Sequence, residues 1–354
     1  SLGMTSIFDH PWLGGLFSDP NLQALWSAEV QIMHYRKFEI ALAHALEAHG
    51  LVAAGLGQKA AIRIEQAPLD IPQLARATAI DGLPIPNFVK QMHAAAPDCA
   101  EAIHAGATSQ DVLDTALSIT LAATTNLLTD RISKLLKHLD GLTEDYGCNR
   151  LVARTRMQAA LPVTAAERIA TWRSPLQSAL ANLNHTSLQI ARLQLGGAVG
   201  TRDAFEGKGD AIAKEVAKAL KLTENGVWHS DRSQIAGFAS LLSQITGALG
   251  KMGQDIALMA QQGVDAIALS GGGGSSAMPH KSNPVLAELL ITLARFNATQ
   301  LSAMHQSLVH EQERSGAAWM LEWMVLPQMA MATGSATLAA KDLCQKIRQI
   351  GDDG

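Results

Sequence analysis

The stretch at residues 270–284 combines four consecutive glycines with hydroxyl, amide and cationic side chains, supplied by Ser275, Ser276, Lys281 and Asn283. A phosphate-binding loop is excluded, because it requires glycine directly before the Lys-Ser pair, where this chain has His280. Consecutive glycines cost backbone entropy and contribute no packing, so such a loop is more often functional than incidental. These residue types suit an anion held beside a proton-exchanging hydroxyl. A solvated linker containing a lysine by chance fits the composition equally well.

Two further segments carry residues that could bind anions. His104 precedes Thr108 and Ser109 at the start of a predicted helix, where free backbone N–H groups bind carboxylates or phosphates. The alternative, favoured when this segment is considered alone, is that Thr108 or Ser109 only caps the helix. Arg154 and Arg156 lie two residues apart and suit bidentate carboxylate binding. Exposed arginines are also ordinary surface residues, so this pair alone indicates little.

Other patterns exclude several kinds of site. The sequence contains no His-Glu-x-x-His, Cys-x-x-Cys or Gly-x-Ser-x-Gly pattern, so we predict neither a metal centre nor a serine-hydrolase elbow. The glycines at residues 196–200 lack a preceding strand and the full spacing of a dinucleotide loop, and we predict no cofactor. Residues 311–323 mix charged side chains with Trp319 and Trp323, and such tryptophans are more often core or interface residues than ligand contacts.

The elements that must position these residues are helical. From Val112 to Leu139 apolar residues recur at intervals of three and four, and Gly141 and Gly147 mark the expected end of that helix. A kink or break is expected at Pro175. Strand signals are weak, because alternating runs of Val, Ile and Thr are absent. The predicted fold class is all-α, built on a long central helical bundle. Further long helices are predicted after Pro162, over residues 233–269 and after Pro284.

Composition restricts the class of protein. The 354 residues are 47% hydrophobic and 17% charged, below the roughly 25% charged residues of an average domain, which suggests much surface buried between subunits. A net charge of −4 argues against a nucleic-acid binder. The three scattered cysteines indicate reduced thiols. No apolar run reaches the roughly 18 residues of a membrane span. We therefore predict a cytoplasmic protein with neither membrane nor nucleic-acid partners.

Taken together, and in this order along the chain, the three polar segments resemble the conserved regions of the fumarase/aspartase superfamily, which includes argininosuccinate and adenylosuccinate lyases. Residues 274–284 resemble its signature, and residues 106–115 and 154–158 resemble its other two regions. The resemblance covers nearly the whole chain. It implies an all-α subunit, a homotetramer, and active sites that each combine the three regions from three different subunits.

Within the superfamily the chain is most similar to the cycloisomerase branch, on residues 104–111 and 313–327. That similarity implies conversion of 3-carboxy-cis,cis-muconate to 4-carboxymuconolactone in protocatechuate (β-ketoadipate) catabolism. Arg156 stands where adenylosuccinate and argininosuccinate lyases carry a catalytic histidine, which disfavours a purine or urea-cycle role. One alternative is a fumarate-releasing lyase similar to adenylosuccinate lyase. Another is a non-catalytic helical scaffold, against which the retention of Ser275, Lys281 and Asn283 argues.

The resemblance also implies a small polycarboxylate substrate and a role for individual residues. Ser275 is expected to transfer the proton. Lys281 is expected to bind the carboxylate on which charge accumulates, and Arg156 to supply a cation in place of the lyases' histidine. Substrate contacts are implied for His104, Thr108, Ser109, Thr155, Gln158, Ser276, Met278, Asn283 and Arg314.

The predicted domain organisation has three parts. We expect an N-terminal helical domain over residues 1–95, a central bundle with the tetramer interface over residues 96–345, and a short tail over residues 346–354. The Pro-rich stretch at residues 67–86 is expected to join the first two parts. The small C-terminal domain of many superfamily members is expected to be truncated or absent.

Overall fold

The fold is built from helices, together with two short antiparallel strand pairs. A computed structural model describes residues 5–278 and 281–354; Pro279 and His280, inside the predicted signature, lie outside the described residues. The helices are α1 (Gly14–Phe17), α2 (Pro20–Trp26), α3 (Ala28–Ala48), α4 (Leu56–Gln66), α5 (Ile71–Asp81), α6 (Ile85–Ala95), α7 (Ser109–Tyr146), α8 (Ala165–Ile190), α9 (Gly209–Leu220), α10 (Ser233–Met259), α11 (Val285–Gln306) and α12 (Ala317–Lys346). The strands are β1 (Arg150–Thr155), β2 (Gln158–Thr164), β3 (Ile267–Leu269) and β4 (Ile347–Ile350).

The all-α prediction is confirmed, and several helix boundaries follow the sequence signals. Helix α7 begins directly after Thr108, its N-cap, and Gly147 follows its last residue. The Thr108 N–H donates a hydrogen bond to the Asp111 carboxylate at 2.9 Å, the contact typical of a capping box. Helix α11 begins directly after Pro284, as predicted, because proline is well tolerated at a helix start.

Two hydrophobic cores lie side by side, and α7 contributes to both. The larger core is formed by α7, α8, α10, α11 and α12, and includes Trp172 and Phe238. The smaller core is formed by α3, α4, α6, α9 and the first turns of α7, including Val112. The loop before α7 packs against the smaller core through Ile103, Ala105 and Ala107. That loop carries the first predicted anion-binding segment.

Helix α7 is long and apolar enough to cross a membrane on length and composition alone. It is a core helix here: 56% of the relevant window is buried within the molecule. Its buried polar residues Asp111 and Asp114 contact other parts of the chain.

No break occurs at Pro175, since α8 continues through this residue. Proline removes one backbone hydrogen bond from a helix. Buried side chains on both sides of it, Trp172, Leu176 and Leu183, pack in the larger core, and this burial offsets the loss. The helix predicted over residues 233–269 is too long. It ends at Met259, and the chain then turns through Gly263 and Asp265, both with positive φ, into β3.

The strand pairs were not predicted. Strands β1 and β2 form an antiparallel hairpin, and β3 pairs with β4. The hairpin is largely exposed on both faces, so it has no buried face to impose an alternating pattern of apolar residues. The second pair joins the chain before the glycine-rich loop to residues 347–350.

The Pro-rich stretch at residues 67–86 is mostly helical rather than an extended connection. Pro72 and Pro86 lie in the first turns of α5 and α6, where the missing N–H has no helical partner. The division into an N-terminal domain, a bundle and a tail remains a prediction.

Candidate active site

The first polar segment is held in place by Asp111. One of its carboxylate oxygens accepts hydrogen bonds from the Gly196 N–H and from His229 Nε2, at 2.9 and 2.7 Å. The other accepts from the N–H groups of Gly197 and Thr108. These four donors fix the loop at residues 104–108 against the loop at residues 196–200. The capping role of Thr108 is therefore confirmed, and it leaves the Thr108 hydroxyl beside Ser109 at the helix start.

His104 is paired with a buried carboxylate. Its backbone has a φ of 62°, and its Nδ1 lies 2.7 Å from Oε1 of Glu39 on α3. Burial of the ring acts against its charged form, but the charge and hydrogen bond of Glu39, with the charge of Asp111, outweigh this and raise the pKa of His104. A protonated histidine suits the binding of an anionic substrate.

A buried charge network lies behind this segment. Arg232 is 1% exposed and contacts Asp114 and Glu322 through its guanidinium group, at 2.8 and 2.7 Å. Burial raises the pKa of the Glu322 carboxyl, while Arg232 opposes this by its charge and hydrogen bonds. Gln110 donates to Asp114 and to the backbone oxygen of His229. The network joins the start of α7 to the residues before α10 and to α12.

Arg314 reaches the same place from the turn before α12. Its Nε donates to Gln110 Oε1 at 3.1 Å, and its Nη1 donates to the backbone oxygen of Ala198 at 3.0 Å. Its Nη2 is buried and has no hydrogen-bond partner within the described residues. An unsatisfied guanidinium N–H of this kind is costly, and a substrate carboxylate would satisfy it. His104, Thr108, Ser109 and Arg314 thus belong to one cluster.

The second polar segment forms the tip of the β1–β2 hairpin. Thr155 pairs with Gln158, and Arg156 and Met157 form the two-residue turn with φ of 51° and 70°. Two consecutive positive φ values are typical of the tight turn that suits hairpin twist. Thr155, Arg156 and Gln158 are all exposed. At the base of the hairpin a cavity of about 710 Å³ is lined partly by Arg154, Arg168 and Lys251.

The third segment is a loop closed at its base. The Gly273 and Asn283 backbones exchange two hydrogen bonds, at 2.9 and 2.8 Å, and the Ser270 N–H donates to the Lys346 backbone oxygen. Ser275 is half-buried and its Oγ accepts from the Met278 N–H at 3.2 Å. A cavity of about 500 Å³ lies beside the loop base and is lined partly by Asn283, Asp342 and Lys346.

Other predicted residues of this loop face outward. Ser276 and Met278 are exposed, and Lys281 is half-buried. The sequence prediction that the hydroxyl and the cation of this loop act together stays a prediction.

Over residues 5–278 and 281–354, no hydrogen bond or ion pair joins the His104 cluster, the hairpin tip and the glycine-rich loop to one another. Within the same ranges, no group of three or more His, Cys, Asp or Glu side chains could hold a metal ion. The hydrogen bonds and ion pairs of the described residues therefore do not assemble these three segments into one site.

A family model described as "Lyase" matches residues 52–297 of this chain. The chain belongs to this lyase family. The match spans all three polar segments and agrees with the fumarase/aspartase resemblance of the sequence motifs.

Individual lyase-family relatives cover most of the chain. This chain is 34% identical to a 3-carboxy-cis,cis-muconate cycloisomerase of Acinetobacter baylyi, over 91% of this chain and 73% of that protein. It is 29% identical to an N-acetyl-S-(2-succino)cysteine lyase of Enterococcus italicus, over 91% of this chain and 72% of that protein. The crystal structure of the 3-carboxy-cis,cis-muconate lactonizing enzyme of Pseudomonas putida is similar with a TM-score of 0.88 and 30% identity, over 96% of this chain and 77% of that one.

Sequence reasoning missed several residues of this lyase-family site. Glu39 occupies a position on α3 whose neighbours on the same face, Tyr35, Phe38 and Leu42, are core residues, and a carboxylate on an apolar helix face is the signal that could have found it. The loop at residues 196–200 follows α8 and not a strand. No sequence pattern indicates that this loop binds Asp111. Asp111, Asp114, His229, Arg232 and Glu322 were likewise not predicted as site residues.

Proposed function

We propose that this protein is a cycloisomerase that converts 3-carboxy-cis,cis-muconate to 4-carboxymuconolactone in protocatechuate (β-ketoadipate) catabolism. The observation that carries this proposal is the 34% identity to a cycloisomerase of that name over 91% of the chain. The crystal structure of a lactonizing enzyme with a TM-score of 0.88 supports it.

The reaction defines what the site must do. A carboxylate oxygen of the substrate forms a bond with the alkene carbon that bears the 3-carboxyl group, and the alkene π bond breaks. Its electron pair moves onto the adjacent carbon and the carboxylate attached to it, and that carbon then receives a proton. The site must therefore stabilise extra negative charge on one carboxylate and deliver one proton.

Residues of the glycine-rich loop suit the charged step. Ser275 delivers the proton to carbon. The hydrogen bond that its Oγ accepts from the Met278 N–H aids this step. Lys281 and Asn283 bind the carboxylate on which charge accumulates. Ser276 and Met278 contact the substrate from the same loop.

The other two segments bind the remaining carboxylates. Arg156 at the hairpin tip supplies a cation where the related lyases carry a histidine, which suits a reaction whose attacking group is a carboxylate that needs no protonation. The remaining contacts come from Thr155 and Gln158 beside it and from His104, Thr108, Ser109 and Arg314 in the His104 cluster.

The complete site is formed in a homotetramer, with the three segments contributed by different subunits. The lack of any hydrogen bond or ion pair between the three segments in residues 5–278 and 281–354 supports this proposal. A second support is the outward apolar face of α12, where Met320, Trp323 and Met324 are 48%, 37% and 68% exposed, since contiguous apolar surface marks interaction sites. The tetramer interface is assigned to the bundle over residues 96–345.

A cytoplasmic location is part of the same proposal. The described chain holds three cysteines without a disulfide, of which Cys99 and Cys344 are buried, as is usual where thiols stay reduced.

A fumarate-releasing lyase similar to adenylosuccinate lyase is the second candidate. The 29% identity to an N-acetyl-S-(2-succino)cysteine lyase favours an elimination of this general kind. The exposed Arg156 at the hairpin tip argues against it, because an arginine is a poor proton donor to a nitrogen leaving group.

An ultraviolet assay separates the two candidates. Purified protein is incubated with 3-carboxy-cis,cis-muconate, and loss of the conjugated diene is followed, with adenylosuccinate and N-acetyl-S-(2-succino)cysteine in parallel. We expect rapid loss of the diene and no cleavage of the other two compounds. Cleavage of either one with an unchanged diene would establish the lyase and overturn the cycloisomerase.

A further inference from the structure

Glu39 is a carboxylate in the middle of the smaller core. It is 0% exposed, and the residues around it on α3 are apolar. An ionised carboxylate is retained in such a place only when it is paired. Its Oε1 is 2.7 Å from His104 Nδ1, and its Oε2 has no hydrogen-bond partner within the described residues. Glu39 therefore depends on His104 for its only hydrogen bond in the described chain.

The pair determines how His104 is presented. Because Nδ1–H donates to Glu39, the opposite nitrogen, Nε2, is left to bind something else, and it has no partner in the described part of the chain. The His104 side chain is 17% exposed while Glu39 is enclosed. The loop around His104 is also held in place, because Asp111 accepts hydrogen bonds from the N–H groups of Thr108 and Gly197. His104 itself has a backbone φ of 62°.

The charged and titratable groups around His104 come from three elements. Glu39 faces it from α3, and Asp111 acts on it from α7 while bound to His229. His93 on α6 bonds the backbone oxygen of Ile103, the preceding residue. The two carboxylates favour the imidazolium and together outweigh the burial that opposes it, so the pKa of His104 is raised.

We infer that Glu39 is a positioning residue that holds His104 protonated and oriented, so that its Nε2–H binds a carboxylate of the substrate. This inference rests on the proposed polycarboxylate substrate and deepens it. In the neutral ring Nε2 would present a lone pair, which repels a carboxylate, whereas in the imidazolium it donates a charge-assisted hydrogen bond. Carboxylate binding at this position therefore requires the charge of Glu39.

The test is Glu39→Gln, which keeps an acceptor for Nδ1–H and removes the charge. Two quantities are measured between pH 6 and pH 8.5: the titration midpoint of the His104 ring by NMR, assigned with His104→Gln, and KM for 3-carboxy-cis,cis-muconate. In the wild-type protein KM should begin to rise only at a higher pH than in Glu39→Gln, because the pKa of His104 is raised. In Glu39→Gln the midpoint should fall to the ordinary histidine value of about 6.5 or below. Above that pH, KM should rise about ten- to hundredfold, while kcat changes much less.

The matched control is Glu47→Gln on the same helix, where Glu47 accepts a hydrogen bond from the Gln58 N–H. It should leave both the midpoint and KM as in the wild type. An unchanged His104 midpoint in Glu39→Gln would overturn the inference, as would a lowered midpoint with wild-type KM at every pH. If the wild-type protein does not convert the substrate, the proposed function fails. The NMR midpoint then still decides whether Glu39 controls the charge of His104.

Discussion

The proton-transfer step depends on how far one serine is activated. Ser275 Oγ accepts a single described hydrogen bond, from the Met278 N–H, and a serine hydroxyl is otherwise a poor acid. We expect Ser275→Ala to reduce kcat by about 10²- to 10⁴-fold, the usual contribution of a positioned acid or base. Its oligomeric mass should not change, because the side chain makes no core contact. Turnover is measured by loss of the diene, with Ser187→Ala at a half-buried serine of α8 as control; near-normal turnover of Ser275→Ala would assign the proton to another group.

A second residue-scale effect concerns acid stability. His34 on α3 is buried, and burial together with nearby Lys37 lowers its pKa from 6.5 to about 4. Between these values the unfolded chain binds a proton that the folded protein does not. The free energy of unfolding therefore falls as the pH is lowered from about 6.5 to about 4. His34→Leu should flatten this slope in denaturation curves, whereas the exposed His185→Asn should not. An equal slope in His34→Leu would show that His34 contributes nothing.

At the scale of elements, Arg232 joins three parts of the fold. Its guanidinium binds Asp114 of α7 and Glu322 of α12 from the residue just before α10. Removing one partner of a buried ion pair leaves an uncompensated charge. We therefore expect Glu322→Ala to lower the free energy of unfolding by about 3–5 kcal/mol, measured by urea denaturation.

The matched contrast is an ion pair on the surface of the same bundle. Asp130 and Lys134 on α7 are 63% and 68% exposed, and such pairs contribute about 0–1 kcal/mol. Asp130→Ala should therefore have little effect. A loss of similar size in both variants would mean that burial does not govern the strength of these pairs.

The elements also show how much of the fold can be predicted from the sequence. Helices α7 and α11 are predictable because their apolar period is long and their ends carry Thr108, Gly147 and Pro284. The continuity of α8 at Pro175 is not predictable from the sequence, because it depends on burial against α10, a tertiary contact. The hairpin is missed because its strands are exposed and carry no alternation. Motif residues such as Ser275 and Arg156 are found from local pattern, whereas Glu39 acts through a contact 65 residues away along the chain.

At the scale of the whole molecule, the proposed division of the site between the subunits of a tetramer predicts complementation. In Arg156→Asn the turn should persist, because asparagine tolerates the positive φ of this position, while the cation is lost. Mixed tetramers of Arg156→Asn and Ser275→Ala chains contain sites that take an intact hairpin from one subunit and an intact loop from another. For equal random mixing, about a quarter of the sites are intact. Two variants with little activity alone should therefore regain about a quarter of the wild-type turnover when refolded together.

The control for this experiment is a pair of variants in one segment. Ser275 and Lys281 lie on the same loop, so each intact site must take both from the same subunit. Mixing Ser275→Ala with Lys281→Ala chains should restore nothing, since no subunit then carries an intact loop. Light scattering confirms that each variant keeps the mass of a tetramer. If the Arg156→Asn and Ser275→Ala mixture gave only the sum of its parents, both residues would come from one subunit, and the proposed sharing of the site would be wrong.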